Sequence, residues 1–181
     1  MNRYILILLL SILSCKNDTN VSKSEMPKST ILDSKSKQAQ SRFDLKVYDY
    51  EGLEPLINKK DDNIHIVNFW ATWCAPCIRE LPYFEAINQK YKSQGVDVLL
   101  VSLDFPKKYK TKLIPFIEKH NLKSKIIAFD DVNQNRWIPA IHKDWSGALP
   151  ATIIYKGAKR QFYERSFTQA ELENELKHFL K

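Results

Sequence analysis

The 181-residue chain has little cysteine (three residues), little glycine (four) and little methionine (two). So few glycines exclude a collagen-like or low-complexity chain. Three cysteines exclude a disulfide-dense miniature scaffold, and without a second CxxC pair a structural zinc site lacks its ligands. Histidine is also scarce. His65, His120, His142 and His178 are spread along the chain, and each fits a surface or strand position better than a metal site. No apolar run reaches the roughly 20 residues a membrane-spanning helix needs. Acidic residues number 21 against 28 basic ones, for a formal charge of +7. That balance favours an anionic membrane surface or acidic partners. The basic residues are scattered, however, with no stripe and no nucleic-acid motif, so nucleic acid is not an expected partner and a solvated, lysine-rich surface is the plainer reading. Apolar residues make up 44%, enough for the core of one domain of ordinary size.

The chain opens "MNRYILILLLSILSC". A positive start, an apolar run from Tyr4 extended by Ile12 and Leu13, and small polar Ser14 make the layout of a signal peptide over residues 1–14. The ending "ILSC" resembles the lipobox of bacterial lipoproteins, which implies cleavage before Cys15 and a lipid on its sulfur. The alternative is an ordinary signal peptide with an incidental cysteine. Residues 15–42 then read as the lipidated cysteine and a flexible tether, rich in Ser, Lys, Asn and Gln. The placement expected is the cell envelope, lipid-anchored to a membrane and facing the periplasm or exterior.

From residue 43 to 181, apolar runs alternate with helical patterns. "FDLKVYDY" reads as an edge strand and "GLEPLINKK" as a short helix. "NIHIVNFW", "VDVLLVSLD" and "KSKIIAFD" read as buried strands. Cys77 to Tyr91 has helical spacing through Ile78, Leu81, Phe84 or Glu85, and Ile87 or Asn88, and Gly95 closes the helix exit. "KKYKTKLIPFIEKHNL" looks helical, with a break expected at Pro115. "NQNRWIPAIHK" is a short helix or loop. "PATIIYKG" and "RQFYERSF" read as an antiparallel pair. "TQAELENELKHFLK" is a helix with a capping box from Thr168 and Glu171 and a stripe of Leu172, Leu176, Phe179 and Leu180. This order suggests a three-layer α/β domain.

Two of the three cysteines fall in "NFWATWCAPCIRELP", residues 68–82. Cys74 directly follows a buried strand and opens a helix. The positive helix end and its free amide N–H groups favour a thiolate there, lowering its pKa from about 8.5 towards about 7. The thiolate is the attacking species in disulfide exchange. Cys77, three residues on, lies on the same face one turn later and can resolve a mixed disulfide. Pro76 suits a first helical turn, and Trp73 offers a flat apolar platform beside the sulfur. A purely structural disulfide is the plainer alternative, but closing so short a loop stabilises little.

"FWATWCAPC", Pro82 five residues after Cys77, "GVDVLLVSLD" and "GALPATIIY" together resemble thioredoxin-fold proteins. The nearest group is the exported TlpA/ResA-like thiol-disulfide oxidoreductases. The resemblance implies a thioredoxin-like three-layer sandwich, a mixed central sheet with helices on both faces. It implies a cis bond between Leu149 and Pro150, facing the cysteines and supporting substrate docking. It implies exchange with exported protein disulfides or dithiols, with no cofactor, and a membrane electron donor upstream. The chain departs from the pattern in two places. Thioredoxin has an aspartate where Asn68 stands, and some ResA-like members have a glutamate where Ala75 stands. The nearest remaining carboxylate is Glu80, a candidate proton acceptor whose plainer reading is a solvated charge on the helix surface. A Sco-like copper carrier on the same fold is the rival function. It would use the cysteines and a distant histidine such as His142, although that family spaces its cysteines three apart. A peroxiredoxin would need a Thr-x-x-Cys context that is absent here.

Overall fold

A computed structural model of the protein describes residues 43–180. The signal-peptide, tether and Cys15 readings lie outside these residues. The six strands are β1 (Lys46–Tyr48), β2 (Ile64–Trp70), β3 (Val96–Ser102), β4 (Lys125–Phe129), β5 (Ala151–Lys156) and β6 (Lys159–Tyr163). They form one sheet in the order β1-β4-β3-β2-β5-β6. The first four pair in parallel, and β5 and β6 join antiparallel. Among the described residues, five α-helices cover the sheet: α1 (Tyr50–Ile57), α2 (Ala75–Tyr91), α3 (Ile114–Lys119), α4 (Gln134–Ile141) and α5 (Gln169–Lys177). This is the mixed-sheet, three-layer sandwich expected from the sequence.

The period-2 alternation of the strands sorts the core into two clusters. Ile64, Ile66 and Trp70 of β2, with Val98 and Leu100 of β3, face α2, α3 and α5. Val67, Phe69, Leu99 and Val101 face α1 and α4. All seven residues of β2 are buried, as a strand covered on both faces requires. Each large apolar side chain sealed in this way stabilises the fold by roughly 1.5–3 kcal/mol.

Local chemistry fixes the element ends. Asp49 caps α1 by accepting from Gly52 N at 3.0 Å. Thr168 and Glu171 form the expected reciprocal capping box on α5. Gly95 has φ of +75° after the short 3-10 turn that follows α2, a conformation in which a side chain would be strained.

Three expectations are corrected. The segment after β3 is not one helix broken at Pro115. It runs as a 3-10 turn (Pro106–Lys108), a π-helical turn (Tyr109–Leu113) and then α3. Pro115 lies in the first turn of α3, just after the π-helical turn, and the chain stays helical through it. On α2 the buried face holds Leu81, Phe84, Ile87 and Tyr91, as the spacing allowed, but Ile78 is only half-buried, and Cys77 and Glu80 join the buried side. Finally, β6 ends at Tyr163. The next residue, Glu164, turns to accept from Ser146 N (3.2 Å) and Ala148 N (3.1 Å).

Candidate active site

β2 ends at Trp70, and shortly after it Cys74 is the N-cap of α2, in an extended conformation. Its N–H donates to Ala71 O at 3.1 Å, and its Sγ accepts from Cys77 N at 3.3 Å. The sulfur therefore already receives one of the amides that a helix start leaves free. Cys74 and Cys77 are joined in a disulfide with Cα atoms 5.3 Å apart. Cys77 is fully buried and Cys74 retains 5% exposure, so Cys74 is the more accessible of the two. Trp73 beside it is 58% exposed, and Pro76 is half-buried in the first helical turn.

β5 begins beside the C-terminal end of β2, because Ala151 pairs with Phe69. The Leu149–Pro150 bond just before it is cis, as expected. Leu149 packs against the core cluster that contains both cysteines, and Pro150 is buried.

Beneath the pair lies a polar network that the sequence announced only in pieces. Asn68, at the centre of β2, donates through Nδ2 to Glu80 Oε1 (3.0 Å) and Thr152 Oγ1 (3.1 Å). Phe167 N donates to the other carboxyl oxygen of Glu80 at 2.8 Å. Glu80 is 1% exposed, which overturns the solvated reading. It lies one turn after Cys77 on the buried side of α2. Burial pushes its carboxyl up from the ordinary 4.5 to about 7, only partly offset by the bonds from Phe167 N and Asn68 and by the charge of Arg165. The physical cause is desolvation of the anion.

A second buried carboxylate holds the loop before Cys74. Asp104 accepts from Thr72 N (2.9 Å), from Thr72 Oγ1 (2.5 Å) and from Ser102 Oγ (2.9 Å). Hydrogen bonds to a charged group contribute roughly 1.5–3 kcal/mol each, so Asp104 fixes residues 71–73 firmly to the end of β3. The sequence signal for it was an aspartate closing an otherwise apolar strand.

The metal-binding alternatives find no constellation. Among the described residues no three His, Cys, Asp or Glu side chains converge as a metal site requires. His142 stacks on Phe162 and accepts from Asp144 N. His65 is buried in β2 against Tyr155, with Nε2 at 2.6 Å from Asp61. His120 stacks on Phe116, and His178 lies 3.5 Å from Glu175. A groove of about 890 Å³ runs along α2, lined by Arg79, Pro82, Phe116, His120 and Lys123 among others; neither cysteine lines it.

Comparison with known proteins agrees with this geometry. Residues 36–159 match the AhpC/TSA family. The thiol-disulfide oxidoreductase ResA of Geobacillus kaustophilus (strain HTA426) is 30% identical over 135 residues, covering 74% of this chain and 72% of that protein. A ResA of Bacillus cereus is 33% identical over 123 residues, covering 64% and 68%. Among solved structures, a thioredoxin-related protein from Neisseria meningitidis serogroup B superposes with a TM-score of 0.56 at 23% identity, covering 67% of this chain and 87% of that one. A thioredoxin-family thiol:disulfide interchange protein from Chlorobium tepidum TLS gives 0.55 at 16% identity, covering 66% and 81%. A redox-capable cysteine pair at a helix start, on this sheet and with these relatives, leaves one conclusion: the chain belongs to the AhpC/TSA family and is a TlpA/ResA-like thiol-disulfide oxidoreductase of thioredoxin fold.

Proposed function

We propose that the protein exchanges disulfides with exported protein partners through Cys74 and Cys77 and works mainly as a reductant. The observation that carries this reading is the pair itself: Cys74 at the N-terminus of α2, its sulfur already accepting an amide N–H, and Cys77 buried within bonding reach.

The reaction balances as follows. The Cys74 thiolate attacks one sulfur of a partner disulfide, forming a mixed disulfide and releasing one partner thiolate. Cys77 then loses its proton and attacks the Cys74 sulfur. The second partner thiolate leaves, and the Cys74–Cys77 disulfide closes. Two electrons pass to the partner, which gains two protons. Glu80 is the proton acceptor for Cys77 in this reading: it is buried one turn away, and its carboxyl titrates near the operating pH, where general bases are most effective. Trp73, Leu149 and Pro150 frame the approach to Cys74.

The direction follows from what stabilises the thiolate. The intervening dipeptide, Ala75-Pro76, carries no charge, so only the helix terminus helps. That places the couple nearer thioredoxin, at about −270 mV, than DsbA, at about −120 mV. Equilibrating the purified protein with glutathione or dithiothreitol buffers is expected to give a value closer to the former. A potential near that of DsbA, with the pair mostly oxidised in cells, would make the protein an oxidase or isomerase.

Location completes the proposal. Residues 1–14 act as a signal peptide, Cys15 carries lipid, and residues 15–42 tether the catalytic domain, 43–181, in the cell envelope. The secreted disulfide oxidoreductase of Mycobacterium tuberculosis, whose structure gives a TM-score of 0.51, supports an exported setting. An oxidising compartment then requires an upstream membrane electron donor to keep the pair reduced. Cys15→Ala is expected to move the protein from the membrane fraction to the soluble fraction with its reductase activity intact. Retention in the membrane fraction would end the lipid-anchor reading.

A further inference from the structure

Two of the large apolar side chains that the fold leaves exposed stand just past the C-terminal ends of β2 and β3, the two central strands of the sheet. Trp73 is 58% exposed and Phe105 is 59% exposed. Each directly follows a residue of the Thr72–Asp104 contact, in which Thr72 N and Oγ1 both donate to the Asp104 carboxylate. β2 and β3 run in parallel, with Trp70 beside Ser102, and Leu103 N donates to Trp70 O at 2.8 Å. The chain segments carrying Trp73 and Phe105 therefore leave the sheet side by side, next to Cys74.

The segment after Phe105 is the π-helical insert whose conformation the sequence did not reveal. It is anchored from beneath: Leu113 is fully buried and Tyr109 packs on the core. Its outward residues are Lys107, Lys108, Lys110 and Lys112, all exposed. No carboxylate pairs with any of the four among the described residues. Residues 105–113 contain no Asp or Glu. The nearby carboxylates do not cancel this charge. Asp104 is buried in its own hydrogen bonds, and Asp130, which acts on Tyr109, is one charge against four.

We propose that Phe105 and the four lysines, together with Trp73, form a recognition lip that selects partners whose disulfide lies in an acidic segment with apolar neighbours. This rests on the exchange reading for Cys74 and names the substrate class it serves. Exposed aromatic area supplies contact energy of the kind that anchors interfaces. Unpaired like charges beside the site steer oppositely charged partners to it and reject similar ones. An anionic bilayer shares the charge preference. The position of the lip beside the reactive sulfur favours a protein disulfide.

The test uses the full-length protein reduced with dithiothreitol and freed of it. Three peptide disulfides share one apolar core and differ in flanks: acidic, neutral or basic. Neutral 2-hydroxyethyl disulfide serves as a control with no flanks. At low salt, the single-turnover second-order rate constant for the acidic peptide should exceed that for the basic one by about tenfold or more, and the ratio should shrink as salt screens the charges. The combined variant Lys107→Gln/Lys108→Gln/Lys110→Gln/Lys112→Gln should bring the ratio close to one while reducing the control at the wild-type rate. Phe105→Ala should slow all three peptides several-fold and spare the control. Equal wild-type rates for acidic and basic peptides, with the control turned over normally, would overturn the lip and leave the exchange reading standing. Failure to reduce the control would remove the exchange reading itself. If the quadruple variant keeps the peptide ratio but loses binding to phosphatidylglycerol vesicles, the surface belongs to a membrane and the proposal fails.

Discussion

Cys77→Ala is expected to stall the reaction as a stable mixed disulfide on Cys74 and to reduce steady-state turnover roughly a thousandfold or more. The size follows from geometry. Cys77 attacks within its own chain, where held groups reach effective concentrations far above any free thiol in solution. Without it, the intermediate waits for an external thiol. Alanine is the better probe than serine, because Cys77 is fully buried and a serine hydroxyl there would need a partner. The amide that reaches the Cys74 sulfur is the backbone N–H of residue 77, so the alanine variant keeps that bond and the activation of Cys74. The adduct should be visible by mass spectrometry after incubation with a peptide disulfide, and it should vanish on adding dithiothreitol. Cys74→Ala should form none. If Cys74→Ala traps the peptide on Cys77 instead, or if Cys77 of the reduced protein alkylates faster than Cys74, the roles are reversed. The same trap applied to cell extracts identifies the natural partner.

The strands were legible in the sequence because β2, β3 and β4 are buried on both faces and read as continuous apolar runs. The cysteine pair was legible because a strand, a short turn and a helix start are all local features. Longer-range features were not. Periodicity signals helical turns but does not distinguish 3-10, α and π hydrogen bonding, so the insert at Pro106–Leu113 read as an ordinary helix. Its four lysines read as part of a scattered charge for the same reason: their common exposure next to Trp73 depends on Asp104 gripping Thr72, 32 positions earlier in the chain. Glu80 read as a surface charge because it stands between arginine and leucine on α2. What buries it is the stretch after β6, where Phe167 N reaches its carboxylate across 87 residues of sequence. Asn68 was recognised as a departure from thioredoxin. Its partners, Glu80 and Thr152, explain the change: the carboxylate is supplied by the helix, and the strand residue holds it with an amide.

Glu80→Gln is therefore expected to alter both stability and rate, each with a defined pH signature. Glu80 ordinarily titrates at 4.5 and is raised to about 7 in the fold, chiefly by burial. Below about pH 4.5 the carboxyl is protonated in folded and unfolded chains alike, and its favourable contribution is fully present. Between about 4.5 and 7 the unfolded chain gives up the proton while the folded protein keeps it, so stability falls as pH rises. Above about 7 the loss is complete, at most about 3 kcal/mol. Glutamine removes this slope, so denaturant unfolding of the variant should be flatter than wild type across that window. The variant should also fold. The carbonyl oxygen of the introduced glutamine can accept from Phe167 N. Its amide can donate to Asn68 Oδ1, which has no partner among the described residues, once the Asn68 amide turns over. The rate effect has a separate origin. Glutamine accepts no proton from Cys77, so peptide-disulfide reduction near pH 7 should slow about ten- to a hundredfold, and the limb of the rate profile near pH 7 should disappear. Alkylation of Cys74, which needs no such transfer, should change far less. A variant that loses the stability slope but keeps the wild-type rate profile would leave Glu80 as a buried structural carboxylate and place the proton acceptor elsewhere.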